Sequence, residues 1–85
     1  MRVLTTESLK APPTAEVQAL MPAELAKVKE LTEQGLISAF YIAADRLGAW
    51  MVWNVDSQAA LEEAHNTLPL HPYLNSEITL LAEGM

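Results

Sequence analysis

The sequence predicts one α+β domain with the element order β-α-β-β-α-β. Three observations predict it. Runs rich in β-branched and aromatic residues recur near 1–7, 36–44, 49–55 and 73–82. One long stretch of helical periodicity separates the first two runs, and a shorter one separates the last two. The chain has 85 residues, which accommodates a single domain spanning 1–85.

The first strand is read from MRVLTTE at 1–7, β-branched and bounded by polar residues. Ala11-Pro12-Pro13 is a connection. From about Thr14 to Gln34 the apolar residues Val17, Leu20, Met21, Leu25, Val28 and Leu31 fall on one helical stripe, and Gly35 is the expected stop. Pro22 interrupts this run. Proline suits a first helical turn and is costly inside a helix, so either the main helix begins at Pro22 or a longer one is kinked there. LISAFYIAA at 36–44 and AWMVWNV at 49–55 form a hairpin around the turn residues Asp45-Arg46-Leu47-Gly48. Asp56 and Ser57 are good caps for a helix from Gln58 to about Thr67, with a stripe of Leu61, Ala64 and Leu68. The two prolines of Leu68-Pro69-Leu70-His71-Pro72 predict an extended loop. The last strand, 73–82, is centred on Ile78, Leu80 and Leu81. This is the ferredoxin-like plan, a four-stranded antiparallel sheet with both helices on one face.

The strands do not suit a sheet with one wet face. Strict alternation puts Leu36, Ser38, Phe40, Ile42 and Ala44 on one side and Ile37, Ala39, Tyr41 and Ala43 on the other; Trp50, Val52 and Asn54 oppose Ala49, Met51, Trp53 and Val55. Both sides are mostly apolar. Burying each such aromatic contributes about 1.5–3 kcal/mol, and a bare patch of this size is unusual on a monomer. A homodimer packed sheet to sheet is the expected arrangement. Trp50 and Trp53 then serve interface and core.

Composition narrows the rest. There is no cysteine, which excludes disulfides and thiolate metal sites, and two histidines are too few for a zinc site without carboxylate help. A net charge of −6 disfavours nucleic acid and anionic membranes as partners. No run approaches the ~20 apolar residues of a membrane span, and no secretory signal is visible at the N-terminus, so a cytoplasmic location is expected. No glycine-rich phosphate loop or nucleophile elbow is present, and neither a metal nor a cofactor is expected.

Glu24 is the leading catalytic candidate. At ~100° per residue it projects near the middle of the Met21, Val28 and Leu31 stripe. A carboxylate there faces the sheet, and burial raises its pKa toward the range of a general acid or base. The competing structural reading makes it the third residue of a helix starting at Pro22, where acidic residues favour the dipole. His71, between Leu70 and Pro72, is a weaker proton-transfer candidate. Tyr41, Asn54 and Ser38 are polar members of apolar strands and candidates for orienting a ligand. Lys27 could approach Glu24 from its edge, and Arg2 and Arg46 could attract a carboxylate. His65, on the second helix stripe, reads as a packed residue.

Gly35, Val55-Asp56-Ser57, Leu61, Thr67-Leu68-Pro69-Leu70, Pro72-Tyr73 and Glu77 resemble the muconolactone isomerase family. The resemblance runs from about Leu20 to Leu81, and Thr67 to Tyr73 is its most specific piece. It implies small dimeric α+β barrel subunits, often assembled into larger rings. It also implies a cofactor-independent double-bond shift in an unsaturated lactone acid, within aromatic catabolism by the β-ketoadipate route. Glu24 falls at the position of the family's candidate proton shuttle. Met21 stands where that pattern carries a lysine, Ala39 and Ile42 where it carries His and Arg, and Leu4 where it carries a histidine. The resemblance therefore carries the fold further than the substrate. The leading expectation is an isomerase-like enzyme acting on an apolar or weakly acidic cyclic compound. The rival readings are a non-catalytic dimeric binding module and an oxygenase-like tailoring enzyme.

Overall fold

A computed structural model describes residues 1–82, so the last three positions of the expected domain lie outside the described residues. The elements follow the predicted order: β1 Arg2–Leu9, α1 Ala15–Glu33, β2 Ile37–Ile42, β3 Gly48–Asn54, α2 Gln58–His65, a short 3-10 turn His71–Tyr73, and β4 Leu74–Leu81. The strands form one antiparallel sheet in the order β2-β3-β1-β4. No helix is long and apolar enough to cross a membrane among the described residues.

Helix α1 is one element through Pro22, starting well before it. Thr14 caps it by accepting from the Val17 N–H at 3.2 Å. Pro22 removes only the donor that would have reached Gln18, and it lies on the exposed side. The helix ends in a paired motif: the Gly35 N–H donates to Thr32 O and the Leu36 N–H to Leu31 O, each at 3.0 Å. Gly35 has φ +81°, the left-handed conformation this ending requires. Because α1 begins at Ala15, Glu24 lies mid-helix, and the expectation that it serves a helix N-terminus is removed.

The core is Val3, Val28, Leu31, Ile37, Met51, Trp53, Val55, Leu61, Ala64 and Leu68. Trp53 is fully buried, and its indole N–H donates to Thr5 Oγ1 at 2.9 Å, so its polar end is satisfied inside the core. Trp50 lies on the opposite face and is 40% exposed.

Two expectations need correction. Strict alternation separates Ile37 from Phe40 and Ile42, yet register places all three on the helix side. Ile37 pairs with Trp53, Phe40 with Met51 and Ile42 with Ala49, while Ala39 pairs with Val52 and Tyr41 with Trp50. Ser38 is an extra residue at this shift, and such a bulge reverses the facing of the residues beyond it. The segment 68–72 is not extended either. The Leu68 N–H bonds to His65 O, the His71 N–H to Leu68 O and the Tyr73 N–H to Leu70 O, giving consecutive tight turns. Proline excludes a long helix and is at home in such turns.

The face away from the helices carries Tyr41, 64% exposed, and Trp50, with Leu4, Val52 and Ala39 half-buried beside them. On β4, Ile78 and Leu80 pair with Thr5 and Val3 and so point to the helix side. They remain 47% and 68% exposed.

Gly48 opens β3 beside β1, and a Cβ there would lie 2.7 Å from the Glu7 carbonyl oxygen. Gly48→Ala is expected to force these strands apart and cost about 1–3 kcal/mol, read as a lower midpoint in urea unfolding with an unchanged slope.

Candidate functional site

Between α1 and the helix-side face of the sheet lies an open cavity of about 540 Å³. Val17, Met21 and Leu25 of α1 form one wall, and Phe40, Ile42 and Met51 of the β2–β3 hairpin form the other. The bulge at Ser38 is what turns Phe40 and Ile42 toward this space. Leu70 and Leu74 contribute from the far side. Two carboxylates, Glu7 and Glu24, line this apolar volume.

Glu24 is 5% exposed. Its Oε1 accepts from the Leu70 N–H at 3.0 Å, a bond spanning 46 positions of sequence. Burial raises the Glu24 carboxyl above its ordinary value; the Leu70 N–H opposes this, and the nearby Glu7 charge adds to it. Lys27 does not reach across to Glu24; it pairs with Glu30 at 3.0 Å on the solvent side.

Glu7 is 2% exposed. Burial opposes its charge, but hydrogen bonds from His65 and Ser76, with the attraction of His65, hold its carboxyl below the ordinary value. His65 Nε2 lies 2.9 Å from Oε1 and 3.1 Å from Oε2, and Ser76 Oγ donates to Oε1 at 2.5 Å. Glu7 was not evident as a site residue from sequence. The available signal was its place on the inward side of β1, after Val3 and Thr5. His65 and Ser76 occupy inward positions of α2 and β4 in the same way.

The other candidates fall elsewhere. His71 packs its ring edge-on to His65, with centroids 5.5 Å apart, beyond the Glu7 side of the cavity. Tyr41 and Asn54 lie on the opposite face of the sheet, and Ser38 sits at the bulge, where its hydroxyl donates to Val52 O at 3.3 Å. Arg2 is exposed on β1. Arg46 lines the cavity and is its one cation among the described residues. A left-handed conformation, φ 66°, places it in a turn closed by the Leu47 N–H donating to Asp45 Oδ1 at 2.9 Å. No cluster of three potential metal ligands occurs among the described residues.

The sheet order, the two helices on one side and the carboxylates in an apolar cavity define a small α+β protein of the ferredoxin-like class. The chain belongs to the muconolactone delta-isomerase family, whose model matches residues 3–84. A crystal structure of muconolactone isomerase superposes with a TM-score of 0.83 at 24% identity, covering 98% of this chain and 90% of that one. The 5-chloro-2-hydroxyhydroquinone dehydrochlorinase of Burkholderia phenoliruptrix AC1100, in complex with 2,5-dihydroxybenzoquinone, superposes with a TM-score of 0.78 at 15% identity, covering 99% and 96%. At these identities both show the fold. No curated protein sequence matches the chain. Of the four departures from the family pattern, Met21 and Ile42 line the cavity, whereas Leu4 and Ala39 lie on the other face.

A carboxyl raised by folding binds a proton more tightly in the native than in the unfolded chain. Its contribution to stability is therefore present at low pH and lost as pH rises through the native value. Glu24→Gln keeps an oxygen for the Leu70 N–H and removes the titration. Thermal unfolding at about pH 5 and about pH 8 should show the variant gaining on wild type at the higher pH.

Proposed function

We propose that this protein is a cofactor-independent isomerase that moves a double bond in an oxygenated, unsaturated ring compound, with Glu24 carrying the proton. The observation that carries this reading is the Glu24 carboxyl, buried in an apolar cavity and held there by a single amide. In its ionised form Glu24 removes a proton from a carbon next to a carbonyl, leaving an enolate on the ligand. The same carboxyl returns that proton to a carbon further along the conjugated system, so the ligand is isomerised and Glu24 is regenerated. Apolar walls strengthen the base by denying it water. Arg46 is positioned to face an oxygen that gains negative charge.

The family and the two structural relatives support the ligand class. Muconolactone and a chlorinated hydroxyhydroquinone are both oxygenated unsaturated rings. With Met21 and Ile42 in its walls and two carboxylates within, this cavity suits a neutral or weakly acidic ring better than a carboxylate-bearing one. This lining supports a substrate shifted from the family's own, and the ring compounds named with the relatives support a role in aromatic catabolism.

The uncovered sheet face, which carries Tyr41 and Trp50, supports self-association as a homodimer, since burying it recovers about 25 cal/mol per Å² of apolar area.

Incubation in deuterated buffer with muconolactone, and separately with a hydroxyhydroquinone, should give Glu24-dependent exchange of ring protons by NMR. Glu24→Gln should lose at least about 100-fold in rate, and the wild-type rate should fall on acidification through a midpoint above that of an ordinary glutamate. Binding without exchange would instead support a non-catalytic module, and oxygen uptake with the phenol an oxygenase. Sedimentation should give a dimer that Trp50→Glu dissociates; a wild-type monomer at micromolar concentration would remove the self-association reading.

A further inference from the structure

The proton chemistry of Glu24 leaves unused the second buried carboxylate and its two partners. Three elements build that group: Glu7 from β1, His65 from α2 and Ser76 from β4. One nitrogen, His65 Nε2, faces both Glu7 oxygens and also lies 3.3 Å from Ser76 Oγ. A nitrogen that donates to a carboxylate has no lone pair left to accept the serine proton. The Ser76 proton therefore goes to Glu7, where the contact is 2.5 Å. The group resembles a catalytic triad in composition, but its geometry is that of one anion held by two donors.

An apolar residue at position 7 would extend the Val3 and Thr5 face at less cost, because taking a carboxylate from water costs several kcal/mol even after relaxation. Glu7 instead shares a cavity with Glu24. Two carboxylates on one cavity do not ionise independently; the one that receives more hydrogen-bond donors keeps the charge and the other keeps the proton. Glu7 receives two side-chain donors, and Glu24 receives one amide.

We infer that Glu7, fixed as an anion by His65 and Ser76, is a positioning residue that keeps the exchangeable proton of the cavity on Glu24. The functional meaning of this division rests on the reading of Glu24 as the proton carrier. The division itself is a property of the unliganded chain. Glu7 then acts through its field, and its two donors prevent it from competing for the proton. The charged groups that bear on Glu24 are Glu7 from β1 and His65 from α2, and Arg46 from the hairpin lines the same cavity. Lys27 on its own helix is engaged by Glu30. Glu7 and His65 act on Glu24 in opposite directions, so removing each separately has opposite results.

The test is a carbon-13 NMR titration of the glutamate carboxyls in the ligand-free chain. Glu7→Gln keeps an oxygen to accept from His65 or Ser76 and removes the charge. It is expected to move the Glu24 midpoint downward, toward a free glutamate, while His65→Gln moves it upward. A folded Glu7→Gln protein with an unmoved Glu24 midpoint overturns the inference. If Glu7→Gln does not fold, Ser76→Ala, at an exposed strand position, is expected to raise the Glu7 midpoint. An unmoved Glu7 midpoint there overturns it as well. Should Glu24→Gln retain full turnover while Glu7→Gln still lowers the Glu24 midpoint, the catalytic reading falls and the division of charge stands.

Discussion

The hydrogen bond from the Leu70 N–H to Glu24 ties distant parts of this molecule together around its cavity. It joins the middle of α1 to the turns between α2 and β4, two parts of the chain with no secondary-structure reason to meet. A carboxylate in the middle of a core-facing stripe would otherwise drive the helix to rotate toward water. The amide compensates part of that cost and orients one oxygen. Pro69 and Pro72 suit the turns that aim this amide, so the most recognisable sequence segment, Thr67 to Tyr73, also holds the carboxyl in place. Fold and candidate chemistry therefore depend on the same short stretch of chain.

Most of the architecture was legible because periodicity is a local property. The stripe from Val17 to Leu31, the Gly35 stop, the Ser57 cap and the alternation in β3 each report on a few neighbouring residues, and each leads to the observed element. Glu24 was legible for the same reason: its angular position on α1 depends on the helix alone. The features beyond the reach of the sequence were non-local. A one-residue bulge at Ser38 reverses the facing of β2 after it, and alternation carries no sign of it. Glu7 gave a weak signal because a carboxylate at a strand end usually meets solvent. Its partners stand 58 and 69 positions away, and only the register of β1 with β4 brings one of them close. Pro22 left two readings open, a helix starting there or a longer one running past it. Its missing donor costs little on an exposed side, so the helix passes through it, and the terminal role suggested for Glu24 disappears.

Two buried carboxylates make opposite demands on the fold. Glu7, with its pKa lowered, stabilises the native state above the ordinary glutamate range and stops doing so as acid titrates it. Glu24, with its pKa raised, burdens the native state as the solution becomes more alkaline. Neither residue would be chosen for stability in a chain this small, where burial is modest. Retaining both fits a protein whose cavity is kept for use, in the way that sites commonly hold groups the surrounding fold must support.

The strand order has a consequence for how the molecule comes into being. β1 precedes the other strands in the chain yet lies between β3 and β4, and β4 follows the other three. Glu7 thus remains without Ser76 until the chain 69 positions further along has been made. Long-range pairing of this kind is slow because the closure entropy precedes the contacts that offset it. A chain interrupted before residue 76 lacks one of the two side-chain donors to Glu7. The donor set around Glu7 is therefore complete only once β4 has docked on β1.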